Sequence, residues 1–206
     1  MKKILLAAAT ATILSSCGTQ KEAAQSTEEA TTVAVVEMET EMGEEIEEET
    51  EIEPVISTVI DGHLRGLHNK DAFMEAPYST WFVPEYESYT PDATVVNDLK
   101  TAMNGVEVRA FMGTWCGDSK RETPKFFKLM DQVGFDADNI NLIAVDRSKQ
   151  EPVALVDGFD VKRVPTFIFY RDGEELGRFV EYPRETLEKD IFKIVSGADY
   201  KHSYED

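Results

Sequence analysis

The stretch Phe111-Met112-Gly113-Thr114-Trp115-Cys116-Gly117-Asp118-Ser119-Lys120 decides how this chain reads. Its first half closes an apolar run that begins at Val106. Its second half turns to small and polar residues of the kind that open a helix. Cys116 therefore falls at a strand-to-helix junction, directly behind Trp115. A thiol is nucleophilic only as thiolate, and the unpaired N–H groups and dipole of a helix N-terminus favour that anion. Lys120 and Arg121, one turn on, are placed to add positive field, while Asp118 opposes it. Ser119 is placed to donate its O–H to the sulfur. The competing reading is an inert core cysteine, for which this junction is a poor location.

Working outward, the surrounding residues give a regular alternation of elements. Thr90-Pro91-Asp92 opens a helical stretch that ends near Asn104-Gly105. Val106 to Met112 predicts a buried strand, and Asp118 to Val133 the helix after Cys116, with Pro124 as a kink and Gly134 as its stop. Ile140 to Val145 predicts a second central strand, and Pro152 to Asp157 a short helix ended by Gly158. Thr166 to Tyr170 and Glu175 to Glu181 read as strands joined at Asp172-Gly173, a hairpin signal. Pro183 is placed to start a last helix running to Ser196-Gly197. That order predicts an α/β domain with a mixed sheet and helices on both faces.

The segment before it, residues 54–89, is an aromatic-rich extension. Val55 to Ile60 has strand composition, and Asp61-Gly62 reads as a turn. Tyr78, Trp81, Phe82, Tyr86 and Tyr89 follow one helical face in part, but Pro77 and Pro84 interrupt it. These aromatics either pack the extension onto the domain or line a groove beside Cys116; packing is the more economical reading.

Residues 18–53 are of another kind. From Glu22 to Glu53 there are thirteen Glu and no Lys, Arg or Asp, with no aromatic residue. Like charge with so little bulky apolar surface cannot offset the entropy of ordering, which predicts a disordered acidic tether. Those thirteen charges, set against Lys2, Lys3 and Lys21, account for most of the formal net charge of −19 and leave −9 for residues 54–206. Nothing in that balance predicts a nucleic-acid partner, which requires clustered basic charge.

The N-terminus begins Met1-Lys2-Lys3 and continues as an apolar stretch from Ile4 to Leu14. The stretch is far short of the roughly 20 residues of a membrane span, and fits a secretory signal over residues 1–17. Leu14-Ser15-Ser16-Cys17 resembles a bacterial lipobox, in which the cysteine carries lipid and becomes the first mature residue. Cys17 is then an anchor to membrane, and Cys116 is the single thiol of the mature chain. The expected location is the cell envelope, where disulfides persist. Gly18 after Cys17, in place of a retention Asp, points to the outer membrane.

Residues 90–206 resemble the thioredoxin superfamily on four features in order. These are Trp115-Cys116-Gly117-Asp118-Ser119, Pro124 eight residues beyond the cysteine, Val164-Pro165-Thr166 before an apolar strand, and the terminal hairpin and helix. The resemblance implies a thioredoxin-like mixed β-sheet flanked by helices. It implies that Val164-Pro165 is a cis peptide facing the cysteine, with Trp115, Val164, Pro165 and Thr166 as the substrate-binding residues. The backbone before such a proline pairs with a substrate chain in β fashion.

Two departures matter. Ser119 stands where the family's dithiol form has its second cysteine, and Ala110 stands six residues before Cys116, where many dithiol members carry a buried Asp. The expected chemistry is therefore monothiol exchange, with Cys116 and Ser119 as catalytic residues and protein or small-molecule thiols and disulfides as partners. The alternatives are a non-catalytic client-binding module of the same fold that uses the proline loop and the Tyr78–Tyr89 aromatics, and peroxide scavenging through a sulfenic acid at Cys116 with an outside reductant. Gly113 departs from the Thr that peroxiredoxins carry there. No cofactor is expected and no metal site either, since His63, His68 and His202 have no cysteine at ligand spacing and read as surface or packing residues.

Overall fold

The structure, a computed structural model, describes residues 57–205. Cys17, the signal and lipobox reading and the acidic tether lie outside the described residues.

Six strands form one sheet: β1 (Thr58–Ile60), β2 (His63–His68), β3 (Val106–Met112), β4 (Ile140–Ala144), β5 (Thr166–Arg171) and β6 (Glu174–Val180), in the order β1-β2-β4-β3-β5-β6. β3 and β4 are parallel, and every other pairing is antiparallel. The helices are α1 (Ser79–Ser88), α2 (Ala93–Ala102), α3 (Gly117–Val133), the single turn α4 (Val153–Val156) and α5 (Leu187–Ser196).

Strand alternation sends side chains to two unequal cores. Val108, Ala110, Met112, Leu142, Phe167 and Phe169 point to a large core covered by α1, α2, α3 and α5. Its centre is aromatic: Phe167 stacks between Phe126 at 4.4 Å and Phe179 at 5.4 Å. The intervening residues Phe111, Ile143 and Ile168 point the other way into a smaller cluster with Val145, Val156 and Val164, edged by Leu67, Phe159, Trp115 and Cys116. The second face is thus closed by one helical turn and a loop, less than the helix-covered face that alternation of elements predicts.

Both hairpins turn on the expected pairs. Asp61-Gly62 (φ 50° and 75°) joins β1 to β2, and Asp172-Gly173 (φ 52° and 81°) joins β5 to β6. Two consecutive positive φ values match the twist of the strands they connect, which is why Asp-Gly is favoured there.

Three expectations need correction. β2 carries no strand signal in its sequence, because His63-Leu64-Arg65-Gly66-Leu67-His68 has only two leucines, at odd spacing. Leu64 enters the large core and Leu67 the small one, so no alternation shows. α1 runs unbroken through Pro84: that residue is exposed, so the carbonyl deprived of its N–H partner can bond water. Tyr78, Trp81, Tyr86 and Tyr89 pack against the large core, as in the packing reading of the extension. Finally, α5 starts at Leu187 rather than Pro183, because the buried Asp190 carboxylate accepts from the Arg184 and Glu185 amides and holds that approach as a loop. Burial raises the Asp190 pKa above the ordinary range, opposed by those same bonds.

Candidate active site

β3 ends at Met112, and the chain passes through a four-residue turn into α3. Cys116 is the residue preceding the first helical turn (φ −93°, ψ 130°), and the Lys120 amide closes that turn onto its carbonyl at 3.1 Å. Its side chain is half-buried. The thiol donates to the Val164 carbonyl at 3.2 Å, across the chain from α3. The Val164–Pro165 peptide is cis, as the resemblance implies. Cys116 is therefore partly exposed, with its sulfur set against this loop. The Val164 amide has no hydrogen-bond partner among the described residues.

The remaining expected site residues take distinct positions. Trp115 is half-buried and its indole N–H donates to the Val145 carbonyl at 2.9 Å, which fixes the ring over the end of β4. Gly113 is required beneath it, since a Cβ there would lie 2.5 Å from the indole. Val164 turns its side chain into the small core and leaves its backbone to the sulfur. The Pro165 carbonyl is taken by the Glu181 amide at 2.8 Å. Thr166 is buried, and its hydroxyl donates to the Arg163 carbonyl at 2.7 Å. It braces the proline loop from inside instead of facing a substrate.

Ser119 also differs from expectation. It is fully buried, and its oxygen accepts from the Gly113 amide at 3.1 Å. The hydroxyl ties the helix back to the strand end, so its bond is with the turn and not with the sulfur. Arg121 is likewise diverted: it bonds Asp118 at 2.6 Å and Glu122 at 2.7 Å. Lys120 lies with its ammonium 5.9 Å from the centre of the Trp81 ring.

One contributor was not foreseen. The Thr114 hydroxyl oxygen, buried beside Cys116, accepts from the Leu64 amide at 3.2 Å and meets His63 Nδ1 at 3.3 Å. The β1–β2 hairpin thus clamps the active-site turn. The His63 pKa is lowered by burial first, then by Arg147, Arg65 and Lys120, with Asp61 opposing. No local signal links residues 63 and 114. Among the described residues, no group of three His, Cys, Asp or Glu could hold a metal ion.

Comparison with known proteins fits this geometry. The thioredoxin family's sequence model matches residues 93–193. Thioredoxin from Gallus gallus is 35% identical over 98 residues, covering 48% of this chain and 88% of that protein. The Mus musculus protein is 34% identical over 93 residues (45% and 83%), and the Homo sapiens one 32% over 97 residues (47% and 87%). With a mixed sheet flanked by helices and a Trp-Cys turn opposite a cis-proline loop, this chain belongs to the thioredoxin-like superfamily, and its domain supports thiol–disulfide redox function in general.

Proposed function

We propose that this protein carries out thiol–disulfide exchange with one cysteine, from a lipid anchor in the cell envelope. The observation that carries the reading is the half-buried Cys116 sulfur, 3.2 Å from the Val164 carbonyl, with Ser119 in the position of a second thiol. In the forward step the Cys116 thiolate attacks one sulfur of a substrate disulfide. The substrate S–S bond breaks, a Cys116 mixed disulfide forms, and the departing thiolate takes a proton from water. Ser119 cannot displace the bound half, so an outside thiol must attack the mixed disulfide and regenerate Cys116.

An extended substrate segment fits beside the proline loop, where the unpaired Val164 amide can donate to it and Trp115 borders the sulfur. Tethering through Cys17 by residues 18–53 places this chemistry in an oxidising compartment, where its substrates occur. The client-binding alternative keeps the proline loop but loses its aromatics to packing: Tyr89 donates to Glu188 and Trp81 packs edge-on against Phe73.

The test is intact mass after incubation with a disulfide-bonded peptide. A single peptide adduct that vanishes in Cys116→Ala is expected. Adduct formation that persists in Cys116→Ala contradicts the reading, as does a Cys116 that stays unmodified.

A further inference from the structure

Three cations from three separate elements surround the Cys116 turn. The Arg147 guanidinium, from the loop after β4, lies 5.2 Å from the centre of the Trp115 ring. Lys120 is one turn along α3 from Cys116, the residue whose carbonyl its own amide bonds. Arg65 on β2 donates to the carbonyl of Leu64, whose amide binds Thr114. Among the described residues none of the three pairs with a carboxylate. Arg121, Lys125, Arg163 and Arg178 do have carboxylate partners, whereas Arg109, Lys128 and Arg171, like these three, are held by ring or backbone contacts.

In a region of net charge −9, three cations without a carboxylate partner thus lie on the elements that carry and clamp the Cys116 turn. The local acids are occupied. Asp118 is bonded by Arg121. Asp146 accepts from the Ser148 hydroxyl and from the Ser148, Gln150 and Glu151 amides. Those bonds outweigh burial and hold its carboxyl well below the usual range, so it stays anionic and is turned onto its own loop rather than paired with Arg147. His63, whose ring meets Thr114, feels Arg147, Arg65 and Lys120 together, with Asp61 as the acid opposing them.

We infer that Arg65, Lys120 and Arg147 form a cationic rim that selects disulfides flanked by carboxylates, so that the substrate is an acidic polypeptide segment. The inference rests on exchange at Cys116. Like-signed charges around a reacting centre raise the local concentration of the opposite sign, and the effect fades with salt. The exchange step keeps the balance given above: one S–S bond breaks, one forms, and the leaving thiolate is protonated.

The experiment uses the full chain carrying Cys17→Ser, so that Cys116 is the only thiol. Its rate of modification is measured with 5,5′-dithiobis(2-nitrobenzoate), a dianion, with neutral 4,4′-dithiodipyridine and with dicationic cystamine, each divided by the rate with free cysteine. Two peptide disulfides, alike except for Asp or Lys beside the cysteine, form a second pair. The same set is run on the Arg65→Gln, Lys120→Gln, Arg147→Gln triple variant after its fold is checked by circular dichroism. Within each protein only the ratio between probes is read, so a general change in reactivity cancels. The expected anionic-to-cationic ratio is about tenfold at low salt, falling toward one in the triple variant and in high salt. A ratio equal in both proteins, with the neutral probe reacting, overturns the rim. A Cys116 that the neutral probe leaves unmodified overturns the exchange reading beneath it.

Discussion

The two faces of the sheet are built to different standards. One is a thick core with stacked aromatics under four helices, and the other is a small cluster around Phe111, Ile143 and Ile168 closed by a single turn and the proline loop. Cys116 belongs to the thin side. Alternate residues of one strand serve the two: Phe167 stacks in the large core, while Ile168 supports the loop that meets Cys116. Stability is thus concentrated where no chemistry occurs, and the site sits where a substrate segment can approach without disturbing the packing.

The largest effect should come from breaking the thick side. Phe167→Ala removes the middle ring of the Phe126–Phe167–Phe179 stack and should cost about 3–5 kcal/mol in denaturant unfolding. The alkylation rate of Cys116 in the native fraction should remain unchanged. A slowed Cys116 in folded protein would mean that the two faces are not independent.

An intermediate effect is expected at the junction. Gly113→Ala places a methyl within 2.5 Å of the indole ring of Trp115 and should cost about 1–3 kcal/mol. Because the ring must leave its bond to Val145, Cys116 should also react more slowly, by about tenfold if roughly one such bond's worth of positioning is lost. Unaltered tryptophan fluorescence together with unaltered exchange would show that the ring is not held as described.

The smallest effect lies at the edge of the sheet. His68 bonds the Arg65 carbonyl through Nε2 and Ser57 through Nδ1, and burial lowers its pKa below 6.5, with the Arg65 bond opposing. Its folded state therefore favours the neutral ring. The associated stability is complete above 6.5 and is lost as pH falls through the lowered folded value, since the unfolded chain takes up the proton first. His68→Gln should flatten that part of a stability–pH profile, and an identical slope in the variant would remove the assignment.

What was legible in the sequence follows the same divide between local and distant causes. β3, α3 and the β5–β6 hairpin show because an apolar run, Gly134 at a left-handed helix end and Asp172-Gly173 are each decided within a few residues. The Trp-Cys turn and the Val164-Pro165 loop were equally readable, as motifs. Their contact was not readable from either stretch alone, since it spans 48 residues. Ser119 bonding Gly113, and His63 and Leu64 clamping Thr114, depend on how elements meet in space. β2 escaped notice for a related reason: its leucines serve opposite faces, so only the assembled sheet explains its composition.

The most direct measurement is the lifetime of the Cys116 mixed disulfide. Full-length protein with Cys17→Ser is loaded with a peptide thiol and followed by mass, with and without an added external thiol, beside the same protein carrying Ser119→Cys. Monothiol exchange predicts an adduct that persists until the outside thiol is added, and one that collapses unaided in the Ser119→Cys variant. An adduct that releases its peptide equally fast in both proteins, with no thiol added, contradicts it.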